Sequence, residues 1–151
     1  MTVRYSYSNA ARRLVRDSWT LWEHRSPETA THLAGLSAEC ALKSILAGLG
    51  VLTLGPDGQL DDWKNWGVHI REDKARKTQL WSEFHAALSG HAGRAFVALV
   101  PPATPAPFDG WRVSHRYVAD RQLQPEDMEQ WMWAAIAIGK GHEQAILEGV
   151  A

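Results

Sequence analysis

Apolar and polar positions recur with helical spacing over most of the chain. Along Thr31 to Leu46 nearly every position is apolar or small, and at 100° per residue His32, Glu39 and Lys43 fall within about 40° of one another. A helix apolar around most of its circumference belongs in the interior, where ionisable groups are paired, neutral or functional. Ser26-Pro27-Glu28 sets a cap, an N1 proline and an acid in their preferred places, and Gly48 and Gly50 mark the end. An earlier helix is predicted over about residues 10–25, capped by Asn9, with Ala11, Leu14, Ser18, Leu21 and Trp22 spaced by threes and fours. Pro125-Glu126-Asp127 opens a last helix to about residue 148, with Met128, Trp131, Ala135, Ile138, His142 and Ala145 on its apolar side.

Between these helices the pattern is shorter-ranged. Gly55-Pro56-Asp57-Gly58 is turn chemistry, and the loop around it carries Trp63 and Trp66. A third helix is predicted from Ile70 or Lys77 to Ser89, with Leu80, Trp81, Phe84 and Leu88 inward. Arg94 to Val100 predicts a short helix, stopped by the proline-rich stretch Pro101 to Pro107. No strand pair is evident. The expectation is an all-α protein, an up-and-down bundle of four to five helices in a single domain over residues 1–151.

Sixteen Lys and Arg against 17 Asp and Glu leave a net charge of -1, so any affinity for nucleic acid has to come from a local patch. Arg12, Arg13 and Arg16 form one such cluster, and Arg71, Lys74, Arg76 and Lys77 form a second, diluted by Glu72 and Asp73. The lone Cys40 excludes an internal disulfide and reads as a small core residue in a reducing environment. The longest apolar run, Trp131 to Ile138, is far short of a membrane span. A cytoplasmic protein without a membrane partner is expected. Eight tryptophans are many for 151 residues, and Trp19, Trp131 and Trp133 cannot all face one core. A dimer face and plain surface exposure both accommodate the excess.

Motifs for phosphate-binding loops, zinc sites and nucleophile elbows are absent. His24, His32 and His115 have no metal-ligand spacing, and neither a metal nor a cofactor is expected. Glu39 and Lys43 stand at i and i+4 in the favourable order. In an apolar helix this pair is either a structural ion-pair network or part of a site, and Arg116 is the candidate third partner for Glu39. The segment Trp111-Arg112-Val113-Ser114-His115-Arg116-Tyr117 has the same two readings. It anchors a loop, with Trp111 plugging the bundle, or it supplies a cation and a stacking surface for a nucleotide base. His69, before the third helix, reads as a structural residue.

The stretch His32 to Lys43, His69-Ile70 with Leu80-Trp81, and Trp111-x-Val-x-x-Arg116-Tyr117 resemble the HEPN superfamily of prokaryotic helical domains. The likeness spans about residues 10–145. It implies a helical bundle, commonly a homodimer, acting in nucleotide binding, toxin–antitoxin modules or RNA cleavage during phage defence. Catalytic members carry Arg, four to six residues and then His late in the bundle. Only Arg25 and His32 have that spacing here, at the start of the central helix, so the ribonuclease motif is absent. The resulting expectation is a nucleotide- or RNA-binding homodimer whose polar groove is lined by His32, Glu39, Lys43, Arg116 and Tyr117. The alternative is a non-catalytic interaction module that partners a nucleotidyltransferase or another defence component.

Overall fold

The computed structural model describes residues 3–61, 80, 84 and 108–151. Three α-helices organise them: α1 (Tyr7–Glu23), α2 (Pro27–Gly48) and α3 (Pro125–Leu147), with a 3-10 helix over Val113–Tyr117. Helix α2 lies at the centre and packs on both α1 and α3. The helical class is as expected, and among the described residues the one β feature is an isolated bridge between Leu54 and Leu60 around the 55–58 turn. Leu80 and Phe84 are helical and buried. The rest of the predicted third helix, the 94–100 helix, the proline loop, Trp63, Trp66, His69 and the 71–77 basic cluster lie outside the described residues.

Helix α1 begins earlier than its periodicity predicts. Ser6, not Asn9, is the cap: its hydroxyl accepts the Asn9 N–H at 3.1 Å. A serine at the cap has the reach to satisfy the amide three residues on, whereas Asn9 is already helical. Helix α2 starts at Pro27 as predicted, although the Ser26 side chain makes no capping bond. Thr31, one turn on, donates its hydroxyl back to the carbonyls of Pro27 and Glu28.

All three helices end in one motif. Two amides beyond each helix reach back, Ser26 to Leu21 and Arg25 to Trp22, Val51 to Leu46 and Gly50 to Ala47, Val150 to Ala145 and Gly149 to Ile146. This is the Schellman arrangement, which requires a left-handed residue after the cap. Gly50 and Gly149 supply it at φ 73°, but in α1 the position is Arg25 at φ 61°.

The core follows the helical stripes. Every predicted inward position of α3, from Met128 to Ala145, is buried, as are Ala11 and Ser18 of α1 and fourteen residues of α2. Ser37 fastens two helices together, its hydroxyl donating to the Ala11 carbonyl at 2.9 Å. Trp131 is buried, whereas Trp19 and Trp133 remain on the surface with ring centroids 6.3 Å apart.

Candidate functional site

The polar stripe of α2 is interior. His32, Glu39 and Lys43 are only 7, 6 and 7 % exposed. Lys43 Nζ donates to Glu39 Oε1 at 3.0 Å and lies 5.9 Å from the centre of the Tyr7 ring. Taken out of water, such a pair holds together because breaking it leaves a buried charge. Lys43 and Glu39 are therefore engaged with each other in the interior, and neither of the described clefts is lined by them.

Two indoles fix the segment that follows. Trp111, fully buried, donates from Nε1 to the Thr31 carbonyl at 3.0 Å, and Trp131 donates to the Asp109 carbonyl at 3.1 Å. Thr31 and Gly35 share one face of α2, being four residues apart. Gly35 leaves the space the Trp111 ring fills, since a β-carbon there would overlap the indole. His32 stacks beside Trp111 with centroids 6.0 Å apart and planes 15° from parallel, and Phe108 meets Trp111 edge-on. Trp111 thus plugs the bundle, as the anchoring reading expects of it.

Beyond this anchor the 3-10 helix turns outward. The Arg112 N–H points to His115 Nδ1 at 3.4 Å, and His115 leans on Trp131 at 5.5 Å. Arg116 and Tyr117 stand on the surface, the guanidinium carbon 4.7 Å from the centre of a phenol ring that is 77 % exposed. The expected ion pair between Arg116 and Glu39 does not form: the ion pairs among the described residues are Lys43 with Glu39, Arg12 with Glu143 and Arg16 with Asp17. A 3-10 turn held by two buried indoles carries Arg116 outward, where its planar cation lies over Tyr117.

Arg116 nevertheless acts on the stripe through space. Burial, then the charges of Arg116 and His115, hold the His32 imidazole below its ordinary pKa, against an opposing pull from Glu39. His115 is lowered as well, by burial and then Arg112. Both rings are consequently biased towards the neutral form. Among the described residues, buried His32 Nδ1 has no hydrogen-bond partner. The site combines an exposed cation on an aromatic face with two neutral imidazoles behind it, a set suited to holding a phosphate and stacking a base.

The other sequence candidates are placed elsewhere. Arg12 binds Glu143 through two hydrogen bonds and Arg16 contacts Asp17, so two of the three α1 arginines are neutralised by acids that a helical wheel of α1 shows only in part. Arg25 is exposed at the α1–α2 corner, whereas His32 is buried. His24 Nδ1 lies 2.7 Å from the Thr20 carbonyl. Burial and the nearby Glu39 carboxylate push the Cys40 thiol up to about 11, which suppresses the reactive thiolate. Gly35 and Ser37, missed as positioning residues, were visible only as small residues within an apolar run. No family model matches the chain, and no curated protein or solved structure matches it.

Proposed function

We propose that this chain is a HEPN-like helical domain that binds single-stranded RNA or a nucleotide at the Val113–Tyr117 turn. Arg116 meets the phosphate, Tyr117 stacks on a base, and His32 and His115 line the wall behind them. The buried Glu39–Lys43 pair lies inside the protein and is not a direct ligand contact. The observation that carries this reading is the exposed guanidinium lying over the exposed ring of Tyr117, on a turn that Trp111 and Trp131 lock in place. An aromatic face costs little to cover with a base, and a fixed cation beside it adds charge where the phosphate falls. Within this reading the protein acts as a cytoplasmic homodimer in a toxin–antitoxin or phage-defence system.

The test is a titration of fluorescently labelled single-stranded RNA, and separately of ATP, into the wild type and Arg116→Ala. Saturable binding that weakens in the variant, with its helical content intact, supports the reading. Equal binding by the two proteins contradicts it.

A second reading draws on a different observation. Trp133 is 58 % exposed beside the partly exposed Trp19 on the α1–α3 surface, and exposed aromatic pairs are common centres of protein interfaces. In that reading the domain is a non-catalytic module that docks a nucleotidyltransferase or another defence component through this face. Trp133→Ser then abolishes the association and leaves RNA affinity unchanged.

A further inference from the structure

The α1–α2 corner and the segment leading into α3 enclose a cleft of about 890 Å³, within the range of small-molecule sites. Trp22, Leu123 and Met128 give it an apolar side, and Arg25 and Arg121 stand on its rim. Both arginines adopt the left-handed backbone, at φ 61° and 64°. At the place equivalent to Arg25, α2 and α3 have glycine, the residue that conformation favours. Arg25 and Arg121 both hold it with a side chain that glycine lacks.

The guanidiniums are available. Among the described residues neither Arg25 nor Arg121 belongs to an ion pair. In the same cleft Glu28 Oε1 accepts the backbone N–H of Arg121 at 2.7 Å, which orients the carboxylate and leaves its charge in place. Asp120 is the other acid on the lining, and it is exposed. Two planar forks in a cleft that an indole and a methionine also line match a ligand with an oxyanion at one end and a flat apolar body at the other.

We propose that this cleft binds a small aromatic oxyanion, a ring bearing a phosphate or a carboxylate, with Arg25 and Arg121 on the anion and Trp22 against the ring. The site is separate from the Arg116 turn and does not rest on RNA binding there. Glu28 and Asp120 weaken the ligand by like-charge repulsion, which the two guanidiniums offset.

Isothermal titration of the full chain with 1-naphthyl phosphate, 1-naphthoate, 1-naphthol and inorganic phosphate tests this. At least one naphthyl anion should bind about tenfold more tightly than 1-naphthol and than inorganic phosphate, because only it engages both halves of the cleft. The preferred anion identifies the head group, and either preference supports the site. Arg25→Gly and Arg121→Gly suit the positive φ and retain the fold, yet each should weaken binding about tenfold. Asp120→Asn should tighten it, and Arg116→Ala should leave it unchanged. The proposal is overturned if neither naphthyl anion binds, if 1-naphthol binds as tightly, if Arg25→Gly binds like wild type, or if Arg116→Ala abolishes binding.

Discussion

Trp111 rests on the bare Cα of Gly35, so closely that a β-carbon at residue 35 would overlap the indole. The same ring is tied by Nε1 to the Thr31 carbonyl one turn earlier. One helix face thus supplies both the seat and the latch for a residue 76 positions away in sequence. Everything outward of it, including Arg116 and Tyr117, inherits its position from this contact.

Gly35→Ala is therefore expected to destabilise the protein by about 1–3 kcal/mol, the cost of overpacking a core. Trp111→Leu removes the obstructing ring, so adding Gly35→Ala to that background should cost much less than it does in wild type. Urea denaturation of the four proteins of the cycle measures the coupling. Additive effects would show that the two side chains do not share this space.

Much of the scaffold is written in the sequence. The α3 stripe from Met128 to Ala145 and the α2 start at Pro27 follow from spacing and cap chemistry alone. The burial of His32, Glu39 and Lys43 follows from an apolar helix with one narrow polar stripe. Long-range choices are less legible. Whether Arg116 turns in towards Glu39 or out over Tyr117 depends on how two indoles hold the preceding segment, which no periodicity encodes. The bond of Arg12 to Glu143 likewise joins residues of different helices. Ser6 is a cap whose competitor Asn9 has equally good chemistry, and only the backbone decides between them.

Stability should depend on pH in a defined direction. His32 and His142 are both buried with an unpartnered ring nitrogen, and burial is the largest cause holding each below the ordinary 6.5. Around His32 the charges of Arg116 and His115 add to this and Glu39 opposes. Around His142 Arg12 adds and Glu143 opposes. A lowered folded pKa means that the unfolded chain binds more protons, so this stability is present above 6.5 and is lost as pH falls below it. Urea midpoints should drop as pH goes from 7 towards 5, and His142→Leu should flatten that slope. A midpoint constant across the range would contradict the buried, neutral state of these rings.

Lys43→Met removes a cation from beside a buried carboxylate and should cost about 3–5 kcal/mol, whereas an exposed pair costs under about 1 kcal/mol. Arg12→Met, which breaks the half-exposed bond to Glu143, provides the comparison in the same protein. Chemical denaturation of both variants checks the ranking. Equal losses would mean that the α2 pair is solvated.

Cys40 should react slowly. A thiol raised from 9.0 to about 11 holds about a hundredfold less thiolate at neutral pH, and thiolate is the reactive form. The rate with a disulfide reagent should be at least that much lower in the native protein than in urea. A native rate matching the unfolded one would place Cys40 in open solvent.

RNA affinity across a salt series for wild type, Arg116→Ala and Tyr117→Ala decides whether the Val113–Tyr117 turn receives RNA. Loss of one phosphate contact should reduce the slope of log affinity against log salt by about 0.7 in Arg116→Ala. Tyr117→Ala should weaken binding by about 1–3 kcal/mol with the slope unchanged, as loss of a stacked base does. If both variants bind RNA with wild-type affinity and slope, or if the wild type binds none, the turn is not an RNA site.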